Sequence, residues 1–276
     1  MESQLPFLIS IPHGGENIPE CVRDRVVLTR ADIIEDADAF TGQIYDLREH
    51  VHTVIQSDTA RAVVDLNRDV TEMPPGHPDG VLKSVTCYKK PVYREGRFPN
   101  PGLVDRLIGE HYRPYHDKIR AAMRAPDVVL GLDCHSMAEQ APPIEAQPGC
   151  RRPLICLGNV YGRSCEMWYV EMLATCFREV FALEEEQVTL NEPFSGGLIV
   201  RTHGNNPIPW IQFEMNRSLY LRPPWYDASK WTVSKDRLEE LSSLIVRALR
   251  RFHSKTTDLP VRFPDEAGPK GQGEPS

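Results

Sequence analysis

The sequence predicts an α/β fold, and three observations lead to this class. Short apolar runs alternate with longer segments of helical periodicity over most of the chain. The 276 residues are enough to bury a sizeable core. The content of 41% hydrophobic and 26% charged residues is ordinary for a globular protein. We therefore expect a sheet whose strands are connected by helices.

The apolar runs predict strands near residues 6–11, 52–57, 62–66, 127–133, 153–158, 187–190, 197–201 and 208–214. Helical periodicity predicts helices near 31–49, 102–124, 163–182 and 234–253. Pro114 lies inside the second helix and should kink or split it. The stretch 71–101 is rich in Pro and Gly and is long for a passive connection, so we expect a loop over the functional site. Residues 139–152 predict a second, shorter loop.

Residues 1–262 are interpreted as a single domain, and residues 263–276, which are rich in Pro and Gly, as a disordered tail. The formal net charge of −7 argues against a nucleic-acid partner. A membrane span is not expected, since no apolar run approaches the ~20 residues it needs, and Met1–Pro12 lacks the pattern of a signal peptide. Seven cysteines without a Cys-x-x-Cys pair indicate reduced thiols and a cytoplasmic protein. The sequence gives no indication of the oligomeric state.

The most informative motif is His13-Gly14-Gly15-Glu16, directly after the apolar run 7–11. Two glycines allow a tight turn, so His13 and Glu16 are expected to converge as ligands of one zinc ion. His135 ends a second apolar run and is the expected third ligand, with Asp133 placed to orient an imidazole. A His/Glu/His set that leaves a fourth position open is typical of catalytic zinc. The alternative is a structural turn histidine and a carboxylate at a helix start.

Three further segments carry candidate residues. Arg61, Asn67 and Arg68 lie beside a short apolar run and form either a clamp for a carboxylate or a surface salt-bridge network. Glu214 shares a strand face with Gln212, opposite the apolar face of the run 211–215. It is a candidate general base, or an edge carboxylate that faces water. Arg201 belongs to a short segment that is either a substrate-binding loop or a hairpin.

Several matching blocks together resemble the N-formylglutamate amidohydrolase family over roughly residues 5–255. They are Ile11–Glu16, Asp65–Asp69, Pro91–Gly96, Tyr112–His116, Asp133–Met137, Asn191–Gly197 and Gln212–Tyr220. The resemblance implies a three-layer α/β/α sandwich with a mixed central sheet, of the phosphorylase/hydrolase-like type shared with zinc carboxypeptidases and aspartoacylase. It also implies Zn²⁺ as the cofactor and a small N-acyl amino acid as the substrate.

The same resemblance assigns roles to single residues. His13, Glu16 and His135 match the zinc ligands, and Glu214 matches the glutamate that activates water. Arg61 matches an arginine that polarises the scissile carbonyl. Asn67 and Arg68 match a pair that holds the substrate carboxylate, with Arg201 as a further candidate for the side-chain carboxylate.

The function expected from these residues is zinc-dependent hydrolysis of N-formyl-L-glutamate to formate and L-glutamate. A deacylase or peptidase acting on another N-acyl amino acid or peptide is the nearest alternative. A non-catalytic ligand-binding protein on the same fold, and a metal-free hydrolase using Cys134, are the remaining rivals.

Overall fold

The centre of the fold is a mixed β-sheet, seen in a computed structural model that describes residues 3–257. Within those residues the sheet has six strands in the order β2-β1-β3-β6-β4-β5. Strands β2, β1, β3 and β6 are parallel to one another. Strands β4 and β5 are parallel to each other, and β4 pairs with β6 in the antiparallel direction. The strands are β1 (Leu5–Ile11), β2 (Val51–Gln56), β3 (Leu130–Met137), β4 (Ile155–Gly158), β5 (Val188–Leu190) and β6 (Trp210–Asn216). A separate two-stranded sheet pairs β7 (Tyr226–Asp227) with β8 (Thr232–Val233).

Helices cover both faces of the sheet, which gives three layers. They are α1 (Arg30–Asp36), α2 (Thr41–Ile44), α3 (Pro101–Leu107), α4 (Arg113–Ala122), α5 (Met167–Phe181), α6 (Leu198–His203) and α7 (Lys235–Thr257). On one face, α2, α5 and α7 pack on a core that includes Phe7, Phe213 and Leu249. On the other face, α3, α4 and α6 pack on a core that includes Leu8 and Trp210. The predicted α/β fold with a mixed central sheet is confirmed.

The alternation of side chains along the strands places the polar groups on one face. In β3, Leu130, Leu132 and Cys134 join the core beneath α5 and α7. The intervening Asp133 and His135 therefore point to the opposite face. The same alternation along β6 directs Gln212 and Glu214 to that second face, while residues 211, 213 and 215 enter the core.

Three predicted elements differ in the structure. Residues 62–66 are buried but form turns, because the amides of Val63 and Val64 both donate to the carbonyl of Ala60. Of residues 197–201, Gly197 precedes α6 and the others belong to it; the Ile199 amide in its first turn donates to the remote side chain of Asn67. The predicted helix 31–49 is divided into α1 and α2 by an extended Ala37 and a left-handed Phe40, φ 64°.

Pro114 interrupts its helix in a specific way. A π-helical segment, Ile108–Tyr112, lies between α3 and α4, and Pro114 occupies the first turn of α4. A proline has no amide hydrogen to donate to the preceding turn, so a local change of helical type accommodates it. The prediction that this helix is split is confirmed.

Two loops described from the sequence meet over the carboxyl ends of the parallel strands. From residue 71 to Asn100, the first segment contains no helix and contributes no strand to either sheet. The 139–152 segment is closed by the pairing of Ala141 with Cys150. The amide of Ile144 in the second loop donates to the carbonyl of Cys87 in the first. The two loops thus support each other above the sheet.

Among the helices of residues 3–257, none combines the length and apolar character needed to cross a bilayer. The predicted tail, 263–276, lies outside the described residues. The interpretation of residues 1–262 as a single domain accordingly stays a prediction.

The packing of the sheet gives a stability prediction for Gly131, near the start of β3. A Cβ there would lie 2.2 Å from Cε2 of Trp210, which is fully buried on β6. Gly131→Ala should therefore lower the free energy of unfolding by about 1–3 kcal/mol, the usual cost of overpacking. Urea denaturation measures it.

Gly109→Ala is the matched control, because a Cβ at this exposed helical glycine meets nothing within 4 Å. It should be neutral or stabilising by up to about 1 kcal/mol. Equal stabilities of the two variants would contradict the close packing of Trp210 on β3.

Candidate metal centre and active site

Two histidines meet at the carboxyl ends of adjacent parallel strands. His13 follows β1 and His135 lies near the end of β3, and β1 pairs directly with β3. Their ring centroids are 4.9 Å apart, and both side chains are buried. The sequence prediction that these two residues converge agrees with this geometry.

Each imidazole is anchored through Nε2 by a buried carboxylate. His13 Nε2 lies 2.7 Å from Asp65 Oδ1, and His135 Nε2 lies 2.9 Å from Asp133 Oδ2. A carboxylate bonded to one ring nitrogen fixes the orientation of the imidazole. In both residues the other nitrogen is Nδ1, so the two Nδ1 atoms are the ones that a metal ion would reach.

Asp38 is the carboxylate that faces these two nitrogens. Its Oδ2 lies 2.8 Å from His135 Nδ1 and 3.4 Å from His13 Nδ1. The residue lies in the break between α1 and α2, where its amide donates to the carbonyl of His13. Ligand atoms of His13, Asp38 and His135 all lie within 4.8 Å of one another.

This group fits a divalent metal ion. Two imidazole nitrogens and one carboxylate oxygen form the donor set of many catalytic zinc sites. His13 Nδ1 is buried and has no hydrogen-bond partner among residues 3–257. A buried lone pair without a partner is costly, and a metal ion would satisfy it.

The second oxygen of Asp38 is turned toward two arginines. Asp38 Oδ1 lies 3.4 Å from Nη1 of Arg61 and 3.4 Å from Nη2 of Arg217. Burial alone would raise the pKa of Asp38, but the contacts with His13 and His135 hold it well below its usual range. Asp38 therefore remains ionised, as a metal ligand must be.

The structure does not bring Glu16 to this group. Its carboxylate pairs with Nε of Arg30 at 3.1 Å and is 40% exposed. Gly15 and Asn17 form bridges with Ala60 and Thr59, so the backbone is extended and the side chain between them points outward. A Cβ at Gly15 would lie 2.2 Å from the backbone of Asp58, so this glycine permits close packing rather than a tight turn. Asp38 takes the place that the sequence analysis gave to Glu16.

Glu214 lies beside His135, because the two residues are partners in the β3–β6 register. Gln212 Nε2 donates to Glu214 Oε1 at 2.8 Å, while Oε2 accepts no hydrogen bond from residues 3–257. Burial raises the pKa of Glu214 to about 7, against the opposing charges of His135 and Arg152. A carboxylate of this kind can exchange a proton near neutral pH.

Cys134 is excluded from the site by the same alternation. Its thiol belongs to the core on the opposite face of the sheet, and burial raises its pKa well above the usual value. A thiol held protonated is a poor nucleophile. The geometry thus speaks against the metal-free hydrolase with Cys134 as nucleophile.

The histidines and Glu214 open into a cavity of about 360 Å³. Its wall includes Asp79, Lys83, Cys87 and Tyr88 from the 71–101 segment, so this loop does border the site. The cationic side chains that line the cavity are Arg61, Arg68, Lys83, Arg152, Arg201 and Arg217.

The predicted clamp residues have different environments. Arg61 binds Asp65 through Nε and Nη2. Arg68 pairs with Asp79 at 2.9 Å, and Arg201 is exposed on α6 without an ion pair among residues 3–257.

Asn67 is engaged by the protein at both ends of its amide. Its Nδ2 donates to Asp133 Oδ2 at 3.1 Å, and its Oδ1 accepts from the amide of Ile199 at 2.8 Å. In these contacts Asn67 fixes the carboxylate that orients His135. It also lines the cavity, so its role with a substrate carboxylate stays a prediction.

Sequence reasoning missed Asp38, Lys83, Arg152 and Arg217. Asp38 was hidden inside a predicted continuous helix, although two aspartates at 36 and 38 interrupt the apolar pattern there. Arg217 follows Glu214 by three residues, and this spacing is the signal that could have identified it. Lys83 and Arg152 lie in loops, where no periodicity points to burial.

An α/β sheet that presents two histidines, an aspartate and a buried glutamate at its carboxyl edge has the layout of a metal-dependent hydrolase. The chain belongs to the N-formylglutamate amidohydrolase family, whose sequence model matches residues 5–221. The resemblance stated from the sequence is confirmed.

Individual relatives agree with this assignment. N-formylglutamate deformylase of Pseudomonas putida is 29% identical over 229 residues, 80% of this chain and 83% of that protein. The protein of the same name from Pseudomonas aeruginosa is 28% identical over 228 residues. The crystal structure of N-formylglutamate amidohydrolase from Ralstonia eutropha JMP134 shares the fold, with a TM-score of 0.76, 20% identity and coverage of 93% of this chain and 95% of that one.

The geometry of the metal centre makes a prediction that separates Asp38 from Glu16. Asp38→Asn should weaken zinc binding by at least about 100-fold, since even an outer partner of a ligand is worth about 10–100-fold. Glu16→Gln should bind zinc as the wild type does. Competition with a chromogenic chelator measures both affinities.

Asp65→Asn provides the intermediate case, with an expected loss of about 10–100-fold, because Asp65 orients His13 without facing the proposed metal position itself. Circular dichroism of each variant checks that the fold is retained. If Glu16→Gln weakened zinc binding more than Asp38→Asn, Glu16 rather than Asp38 would be the carboxylate ligand.

Proposed function

We propose that this protein hydrolyses N-formyl-L-glutamate to formate and L-glutamate and depends on a metal ion held by His13, Asp38 and His135. The observation that carries the proposal is the convergence of these three ligand atoms beside Glu214 at one end of the cavity. The names of the Pseudomonas relatives support the choice of reaction. Zinc is the proposed metal, because the donor set is nitrogen, nitrogen and oxygen.

When bound, the ion would supply Lewis acidity that polarises the scissile carbonyl and lowers the pKa of water. Glu214 would accept the proton of the attacking water at Oε2 and later give it to the departing nitrogen. Burial raises the pKa of Glu214, and a carboxylate shifted in this direction is suited to both transfers. Gln212 keeps the carboxylate in place by donating to Oε1, and is itself fixed by the amide of Gly197.

Arg61 is proposed to stabilise the negative charge that develops on the carbonyl oxygen. It is mostly buried and lines the cavity, and its contact with Asp38 at 3.4 Å is long enough to leave Nη1 a usable donor. A preorganised donor of this kind contributes about 2.7–4 kcal/mol in a water-excluding site.

Arg68 and Arg201 are the proposed partners of a substrate carboxylate. Both line the cavity, and a guanidinium binds a carboxylate through two parallel hydrogen bonds. Arg68 would have to exchange its partner Asp79 for the substrate. Arg201 already has its guanidinium free of ion pairs within residues 3–257.

The protein is also proposed to act in the cytoplasm on a small molecule. Its seven cysteines, all within residues 3–257, form no disulfide bonds, which supports a reducing compartment.

Formate release from N-formyl-L-glutamate by the purified protein tests the proposal directly. Release should disappear after treatment with a chelator and return when zinc is added. Release that persists in metal-free protein would refute the metal dependence. If zinc-loaded protein releases no formate, N-formyl-L-glutamate is refuted as the substrate.

Replacement of Glu214 separates proton transfer from metal binding. Glu214→Gln should retain zinc but lose about 10²–10⁴-fold in kcat, the usual contribution of general acid–base catalysis. Initial rates and zinc content are measured on the same preparation.

Glu179→Gln is the control, since Glu179 pairs with Arg251 and Lys255 between α5 and α7, away from the cavity. It should keep wild-type kcat. A Glu214→Gln enzyme with wild-type turnover would remove Glu214 from the mechanism.

A further inference from the structure

The cavity contains more cations than the reaction centre uses. Lys83 contacts Asp36 and Asp79 and lies 3.8 Å from Asp65. Arg61 is bound to Asp65. These two cations are engaged with carboxylates of the protein, so they neutralise charge close to the histidines.

Arg217 is engaged as well. Its Nε donates to Ser136 Oγ and its Nη1 to the carbonyl of Glu35, both at 3.0 Å. Its remaining nitrogen lies 3.4 Å from Asp38. A cation that binds the substrate is therefore expected among the arginines whose donors are incompletely paired.

Among the arginines that line the cavity, Arg152 has a buried donor without a partner. Its side chain is only 5% exposed, yet Nε has no hydrogen-bond partner among residues 3–257. Its Nη2 contacts the carboxylate of Glu145, and its guanidinium carbon lies 4.8 Å from the ring centroid of Phe194. A buried guanidinium with a free N–H is an incomplete carboxylate site, because this group binds carboxylates through two donors.

The backbone of Arg152 is fixed relative to the reaction centre. Asn216 Nδ2 donates to the carbonyls of Arg152 and Pro153, at 3.3 Å and 2.9 Å. Asn216 ends β6 two residues after Glu214, so the strand that carries the proposed base also holds Arg152. The charge of Arg152 is also close enough to act on Glu214.

The surroundings of Arg152 suit an aliphatic chain that ends in a carboxylate. Phe194 contacts its guanidinium, and Pro142 and Ile144, next to Glu145, line the same cavity. A substrate side chain with methylene groups would pack on these apolar residues and present its carboxylate to the arginine. The α-carboxylate is not carried on a chain of methylene groups and would not make this apolar contact.

Glu145 occupies the guanidinium when no substrate is present. It lies in the 139–152 loop and its side chain is 34% exposed, so it is a partly solvated partner of a buried cation. Arg201 differs from Arg152 because it is exposed to water, which already solvates its charge. With Arg68, it is a proposed partner of a substrate carboxylate.

We propose that Arg152 binds the side-chain carboxylate of the substrate and that Glu145 is an internal substitute displaced by it. This inference rests on the proposed function and names the residue that selects a dicarboxylic N-acyl amino acid over its neutral analogue. Arg152 is a specificity residue and takes no part in proton transfer.

The test compares kcat/KM for N-formyl-L-glutamate and N-formyl-L-glutamine, which differ only in the charge of the side chain. The wild type should prefer the glutamate compound, and Arg152→Met should reduce this preference by about 10- to 100-fold, the range for a hydrogen bond to a charged group. Arg152→Lys should restore part of it. The matched control is Arg222→Met, since Arg222 pairs with Glu139 at the base of the same loop but does not line the cavity.

Several outcomes would overturn the inference. Arg152 would have no role in side-chain recognition if the wild type did not prefer the glutamate compound. The same conclusion would follow if Arg152→Met kept the full preference. An equal fall with both compounds would assign it to another part of the substrate or to folding. Glu145→Gln should lower KM for the glutamate compound, and a rise in KM would contradict the displacement of Glu145.

Binding of the amino acids alone distinguishes this inference from the proposed function. Calorimetry of the zinc-loaded protein with L-glutamate and L-glutamine requires no turnover. If no formate is released from either compound, the proposed function fails. A preference for L-glutamate that is lost in Arg152→Met would still support Arg152, whereas equal binding by the wild type would overturn it.

Discussion

The hydrogen bond between each buried imidazole and its own buried carboxylate is the interaction on which the site depends. Asp65 and Asp133 bind Nε2 of His13 and His135, which turns both Nδ1 atoms toward Asp38. Without these anchors, either ring could rotate or protonate at the wrong nitrogen. Three carboxylates are thereby concentrated in a buried region, and so much negative charge is tolerated only with nearby cations.

Those cations tie the loops to the sheet. Lys83 is fully buried, although lysine seldom is, and it reaches Asp36 at the end of α1 and Asp79 in its own loop. It also lies 3.8 Å from Asp65, the anchor of His13. The 71–101 segment is therefore held by the same charges that orient His13. Removing one charge would leave its partners uncompensated, so this loop and the site are expected to be stable or unstable together.

Local pattern was sufficient for the strands and for two of the three proposed ligands. Apolar runs identify β1, β3 and β6, and parallel strands bring His13, His135 and Glu214 to one edge. The side chain of Glu16 depends instead on bridges to residues 59 and 60, a long-range pairing that a spacing of three residues does not reveal. Asp38 depends on a helix break without Gly or Pro, which only tertiary contacts such as its amide bond to the His13 carbonyl explain. Asn67 illustrates the same limit, because its role comes from contacts with Asp133 and Ile199, distant in sequence.

The elements of the site divide according to their rigidity. His135 and Glu214 lie on neighbouring strands in fixed register, so the distance between the metal centre and the proposed base is set by the sheet itself. Recognition of the substrate carboxylates is assigned to Arg68, Arg152 and Arg201, which lie in loops or on a short helix at the sheet edge. Loops accept changes of sequence and length more readily than central strands. We therefore expect family members to keep the hydrolytic centre while differing in the amino acid that they accept, and Arg152 is the point in this chain where a single substitution would alter that choice.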